Sequence, residues 1–219
     1  MYLLRSIALL LFFTFLFGQE EEITIEDLYE RGGLFYAPGQ DSTFTGTVAG
    51  SWENGIKKLD YTYKDGKYDA KWSSWFSNGQ PEEEIEYQIG VKNGIHKQWY
   101  RNGQQKFERT YKVGIHDGKW TEWYENGQSM VEGSFLDGKP DGTWIYWFPN
   151  GQKKEEGNPV SSDSTGLAFL NDGVWTYWHA NGQMKETGNY VNGEKDGQWT
   201  EWYNNGPVSY THLTLPTKA

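Results

Sequence analysis

The sequence predicts an all-β fold, an elongated antiparallel array of β-hairpins strung into a meander of about six to seven units of 24 residues. Three observations predict it. Asn-Gly pairs stand at Asn54, Asn78, Asn102, Asn126, Asn150, Asn181 and Asn205, in steps of 24, 24, 24, 24, 31 and 24 residues. A fixed period of about 20 to 50 residues marks units that bury their apolar faces by stacking on their neighbours. Each pair also lies between two runs of strand-forming residues, as in KWTEWYENGQSMVEGSF from Lys119 to Phe135, a strong hairpin signal. Lastly, aromatic residues keep fixed distances from the turns. Six residues before the Asn stand Trp72, His96, Trp120, Trp144, Trp175 and Trp199; three before it stand Trp75, Trp99, Trp123, Trp147, Trp178 and Trp202; nine after it stand Tyr63, Tyr87, Tyr111, Phe135 and Tyr190.

In chain order, residues 1–18 read as a signal peptide. Arg5 precedes an apolar run of 11 residues, Ile7 to Phe17, that ends at Gly18 before an acidic segment. Such a run suits a signal h-region and falls short of the roughly 20 residues of a spanning helix. Cleavage after Gly18, or retention as an anchor, implies export to a periplasm, the cell surface or the medium. The chain has no Cys, which closes the lipoprotein route and excludes disulfides and thiolate chemistry.

Residues 19–45 read as a cap and residues 46–206 as the array. Within each unit the Asn-Gly pair is expected to form a type I′ turn, with positive φ at both central positions. A second Gly-containing turn, such as Asp137-Gly138, then leads to the next unit. The two Trp ladders lie an odd number of residues apart, so alternation along the strand sends them to opposite faces. The 31-residue step is one unit plus a seven-residue insertion, placed near residues 158–166 in the polar stretch NPVSSDSTG. After Gly206 the repeat character stops. The segment VSYTHLTLPT resembles the translation of a transposase-adapter end, so residues 207–219 read as an artefactual tail, and the natural chain is expected to continue with Gln.

The segment FLDGKPDGTWIYWFPNGQ resembles the MORN-type repeat in its bacterial 24-residue variant. DLYERGGLFYAPGQDSTFTGTVAGSWENG resembles the cap of proteins labelled YwqK-type antitoxins, so the resemblance covers about residues 27 to 206. It implies the hairpin array and partner binding, antitoxin-like if the label holds. A cytosolic antitoxin and an export signal do not agree. MORN repeats are also linked to phospholipid binding, which the acidic balance here disfavours.

The net charge of −10 argues against nucleic acid as a partner, since phosphate contacts need clustered Lys and Arg. No catalytic set emerges: His96 and His179 occupy aromatic positions, His116 is expected in an inter-unit turn, and the recurring carboxylates lack the singularity of an acid/base pair. The Asp-Gly pairs at Asp137 and Asp141 read as turns, not calcium loops. No enzyme activity, cofactor or metal is expected. The expected function is that of an exported scaffold or protein-interaction module. The alternative is a carbohydrate or cell-envelope binder that uses Trp75, Trp99, Trp123, Trp147, Trp178 and Trp202 as stacking platforms.

Overall fold

The computed structural model describes residues 23–163, 168–205 and 208–214, with side chains at 208–210 and 212–214 excepted. The signal peptide, the start of the cap and part of both the insertion and the tail lie outside the described residues. The protein is all-β. A short hairpin of β1 (Tyr29–Arg31) and β2 (Leu34–Tyr36) precedes one long sheet. Its strands are β3 (Gly46–Ser51), β4 (Lys57–Lys64), β5 (Lys67–Tyr68), β6 (Ala70–Trp75), β7 (Pro81–Gln88), β8 (Val91–Trp99), β9 (Gln105–Lys112), β10 (Ile115–Trp123), β11 (Ser129–Leu136) and β12 (Lys139–Trp147). It continues through β13 (Lys153–Ser161), β14 (Phe169–Trp178), β15 (Met184–Val191), β16 (Glu194–Trp202) and β17 (Val208–Thr214). In the long sheet each strand pairs antiparallel with the strands before and after it, except that β6 pairs with β4 and β5 is only a stub beside β4. Within the tail, β17 supplies a return strand to β16.

The turn at the Asn-Gly pairs that mark the period is not the expected type I′. At Asn54, Asn78, Asn102, Asn126, Asn150 and Asn181 only the following Gly has positive φ, and the amide of Gly79 donates to the carbonyl of Phe76 at 2.9 Å. This is a type I turn followed by a left-handed Gly, the three-residue hairpin loop. The type I′ geometry lies at the inter-unit turns, where both residues have positive φ, as at Asp137 (47°) and Gly138 (79°). Asn is retained for a different reason. Its Oδ1 accepts the amide two residues on, and its Nδ2 reaches across to the next unit: Asn78 to Arg101 O at 2.9 Å, Asn102 to Glu125 O at 2.9 Å, Asn126 to Pro149 O at 2.7 Å. The other edge is tied likewise, with Gly90 N donating to Tyr68 O at 2.7 Å and Gly114 N to Lys92 O at 2.8 Å.

Two further expectations need correction. His116 lies in β10 opposite Tyr111, not in a turn. Asp141-Gly142 lies inside β12 at a bulge, where the register against β11 shifts. The same bulge position, sixteen residues after the turn Asn in the regular units, has positive φ at Gly94, Gly118, Gly142, Gly173 and Gly197, and is filled by Ala70 (φ 61°) in the first. A left-handed residue with a Cβ costs about 1–2 kcal/mol. Ala70→Gly is therefore expected to stabilise the protein by about 1 kcal/mol, read as a raised midpoint in thermal or urea unfolding.

The core is a row of side chains on one face. Cross-strand partners along it run Trp72, Ile85, His96, Arg109, Trp120 and Gly133. Its packing depends on the residue seven after each turn Asn. Where that residue is Gly133, Gly157 or Gly188, a Cβ would stand 2.3 Å from the indole of Trp144, Trp175 or Trp199, and those Trp are only 2%, 2% and 0% exposed. Where it is Tyr61, Trp72 stacks on the ring at 4.5 Å; where it is Arg109, the guanidinium lies 4.0 Å from Trp120; both Trp stay half-buried. Where it is Ile85, the neighbour is the smaller His96. At the first end, Phe35 and Phe44 of the cap lie 5.1 and 5.7 Å from the ring of Tyr63 and close the row.

The insertion leaves this register unbroken, because the β13–β14 hairpin lengthens outward past Ser161 and Phe169. Pro159 interrupts the aromatic file nine residues after the turn. Phe169 restores it, with its ring 6.1 Å from Phe135 and 5.7 Å from Trp144.

Candidate functional site

The residues singled out for binding form the second ladder, Trp75, Trp99, Trp123, Trp147, Trp178 and Trp202. Three residues separate each from its partner in the first ladder, so they project from the opposite face. All six are half-buried, and none joins a ring–ring contact among the described residues. Successive units are two strands apart, so the indoles recur at about 9.6 Å. Lys57 Nζ lies 5.0 Å from the ring of Trp75 and Lys153 Nζ 5.3 Å from that of Trp178, which shows that a cation can rest on this row.

In four units the backbone that carries the row is held by the residue two before the turn Asn of the preceding unit; Phe76 and Phe148, at the same position, have no donor to do so. Trp52 Nε1 donates to Trp75 O at 2.9 Å, Tyr100 Oη to Trp123 O at 3.0 Å and Tyr124 Oη to Trp147 O at 2.8 Å. His179 Nε2 stands 3.1 Å from Trp202 O in the same role, which accounts for a His in an aromatic column. The sequence reading missed this column. Its signal was a column of rings, Trp52, Phe76, Tyr100, Tyr124, Phe148, His179 and Tyr203, in which most members carry a donor and Phe76 and Phe148 do not.

The first face is not wholly apolar. His96 is buried between Glu83, whose Oε1 is 2.7 Å from Nε2, and Lys92, whose Nζ is 3.3 Å from Nδ1. Arg109 pairs with Glu122 at 2.5 Å while sandwiched between Phe107 and Trp120, each 4.0 Å away. Arg109 and Glu122 thus neutralise one another within the sheet. Burial, then the positive charge of Arg109 and Lys92, holds the His116 imidazole down at about 4. Its ring lies against Tyr111, Trp120 and Phe135, and Nδ1 has no hydrogen-bond partner.

A sign follows for the effect of acid. An unfolded His titrates near 6.5, so this group supports the fold fully above that pH, and the support is lost as pH falls from 6.5 toward 4. Discounted for a ring that is only half-buried, the loss by pH 5 is about 1 kcal/mol. His116→Tyr places there the residue that Tyr68 supplies in the first unit. Urea unfolding at pH 7.5 and pH 5 is expected to show the wild type losing about 1 kcal/mol more than this variant.

Two open depressions lie toward the two ends of the array, and of the second ladder only Trp202 lines either of them. One of about 500 Å³ is lined by His179, Lys185, Glu186, Glu201, Trp202 and Tyr203. Another of about 570 Å³ is lined by Trp52, Asn54, Lys58 and Ser77 among others. No group of three or more His, Asp or Glu among the described residues is placed to hold a metal ion. Five segments, residues 68–88, 92–112, 117–137, 140–158 and 171–192, match the family described as the MORN repeat variant. No curated protein matches the chain.

Proposed function

We propose that this chain, which carries five repeats of the MORN repeat variant, is an exported, non-catalytic array that binds a protein partner along its second Trp ladder. The observation that carries the reading is the contrast between the ladders. Trp144, Trp175 and Trp199 are spent on the core, whereas the second ladder stays partly open in all six units. A row of rigid amphipathic rings at constant spacing on a tied scaffold presents contact area at little entropic cost. Pull-down from an envelope fraction of the source cell, with wild type and a Trp99→Ala/Trp123→Ala double variant as baits, tests it. Loss of a wild-type partner with the variant still folded supports the reading. A bound partner retained by the variant, or turnover of a glycoside, ester, peptide or phosphate substrate that a point mutant abolishes, would end it.

One observation favours a second reading. An open indole strip spanning the array, at about 9.6 Å per step, also suits the apolar faces of a repeating glycan. Sedimentation with peptidoglycan or insoluble polysaccharide separates the two. Binding to these that is lost in the double variant moves the assignment to a cell-envelope glycan. An antitoxin-like function is a special case of the protein-partner reading and is supported by the sequence resemblance alone.

A further inference from the structure

The units of the second ladder differ in what rests on each indole, and in two of them the chain covers the ring itself. Lys57, three residues after its turn Asn, is bonded to Asp60, six after it, while its Nζ stands 5.0 Å from the ring of Trp75 in the next unit. Lys153 repeats the arrangement, with Nζ 2.6 Å from Glu156 Oε2 and 5.3 Å from the ring of Trp178. In both places an ammonium group is held between a carboxylate and an indole face, two attractions that act on the same charge. The unit of Asn126 keeps both walls of this arrangement, Glu132 and Trp147, but has Ser129 where the other two have Lys. Glu132 is exposed; among the described residues it makes no ion pair and accepts a side-chain hydrogen bond only from Ser129 Oγ, at 3.4 Å. Lys119 and Lys153, on the strands that flank this hairpin, are committed to Glu108 at 4.0 Å and Glu156 at 2.6 Å. The other units do not share the feature: Glu84 is paired with Lys71 at 2.8 Å, Glu108 with Lys97 at 3.3 Å, and Thr187 stands six residues after Asn181.

We propose that Glu132 and Trp147 form a lysine-recognition site, at which a protein partner lying along the second ladder places one side chain with its ammonium between the carboxylate and the indole. The inference rests on the reading of that ladder as the binding face and names the chemistry the partner brings to it. Lys57 and Lys153 supply the precedent, since each shows an ammonium group held by the equivalent pair of residues. The same segment of the partner continues over Trp123 and Trp99, which recur at about 9.6 Å and carry no cation from their own chain among the described residues. There Lys97 and Lys71 already answer the carboxylates, so those two rings suit apolar side chains, and the one charged contact fixes the register. The net charge of −10 draws a basic segment toward the array before contact is made.

NMR titration of the full chain with the peptide acetyl-Pro-Pro-Lys-Pro-Pro-amide, read at the tryptophan indole N–H signals, tests the site. The Trp147 signal, assigned through Trp147→Phe, is expected to shift saturably with a Kd on the order of 1 mM. The same peptide acetylated at Nε, and the Glu132→Gln variant with the original peptide, are each expected to bind about fivefold more weakly. Ser129→Lys installs the residue the chain already uses at Lys57 and Lys153, and is expected to abolish the shift while keeping the melting temperature. Lys153→Ser acts in the opposite sense: it opens Glu156 and Trp178 to the peptide and adds a second responding indole. No saturable shift, equal binding of the acetylated peptide, a shift that survives Ser129→Lys, or a Lys153→Ser chain with no further responding indole would each overturn the proposal. The envelope pull-down separates this site from the face that carries it. A partner lost with Trp99→Ala/Trp123→Ala but retained by Ser129→Lys leaves the binding face standing and removes the lysine site.

Discussion

Gly157→Ala is expected to destabilise the protein by about 3 kcal/mol, although it adds a single methyl group. Gly157 has no positive φ, so backbone conformation is not the obstacle; the new Cβ would stand 2.3 Å from the indole of Trp175. Trp175 cannot retreat without leaving a buried seat in which its Nε1 donates to Asp172 O at 3.2 Å. Overpacking of this kind typically costs about 1–3 kcal/mol, and a clash with a rigid ring places it at the upper end. The protein shows the compensated form elsewhere, since Ile85 at the equivalent position faces His96. A Gly157→Ala/Trp175→His double variant is thus expected to lose less than the sum of its singles. Urea unfolding of the four chains measures the coupling, and strict additivity would refute the seat.

Trp144→Ala is the second large effect, at about 3–5 kcal/mol. Trp144 packs with Val131 and Phe135 and is touched by Trp120, Tyr146 and Phe169, so truncation empties the centre of a cluster drawn from β10, β11, β12 and β14. Its Nε1 has no hydrogen-bond partner, so the loss is one of packing alone. Trp144→Phe should recover more than half of it. Trp123→Ala, on the half-open face, should cost clearly less, and equal melting temperatures for Trp144→Ala and Trp123→Ala would contradict the division of labour between the ladders.

The period, the hairpins and the opposed ladders were legible in the sequence, because strand alternation and the Asn-Gly spacing are local facts. The turn types were not. Asn-Gly favours positive φ at both residues when judged alone, but here Asn78 is selected by Arg101 O and Asn102 by Glu125 O, 23 residues away. His116 was misplaced for a similar reason: the short Gly-containing segment around it reads as a turn, whereas Tyr111 across the strand pair draws it into β10. The part of the candidate site that could be read was the identity of the six Trp. Their partial exposure depends on neighbours in the next unit, and no single unit displays it.

The hydrogen bonds that tie the two edges have a kinetic consequence. Asn54, Asn78, Asn102, Asn126 and Asn181 each reach 23 residues ahead, and Asn150, across the insertion, reaches 30. All-β domains usually fold slowly because distant strands must find each other before any contact rewards the closure. This sheet contains no such step. Any hairpin can nucleate, each neighbour adds at the entropic cost of one short loop, and the size of the sheet sets no limit on the rate at which it zips.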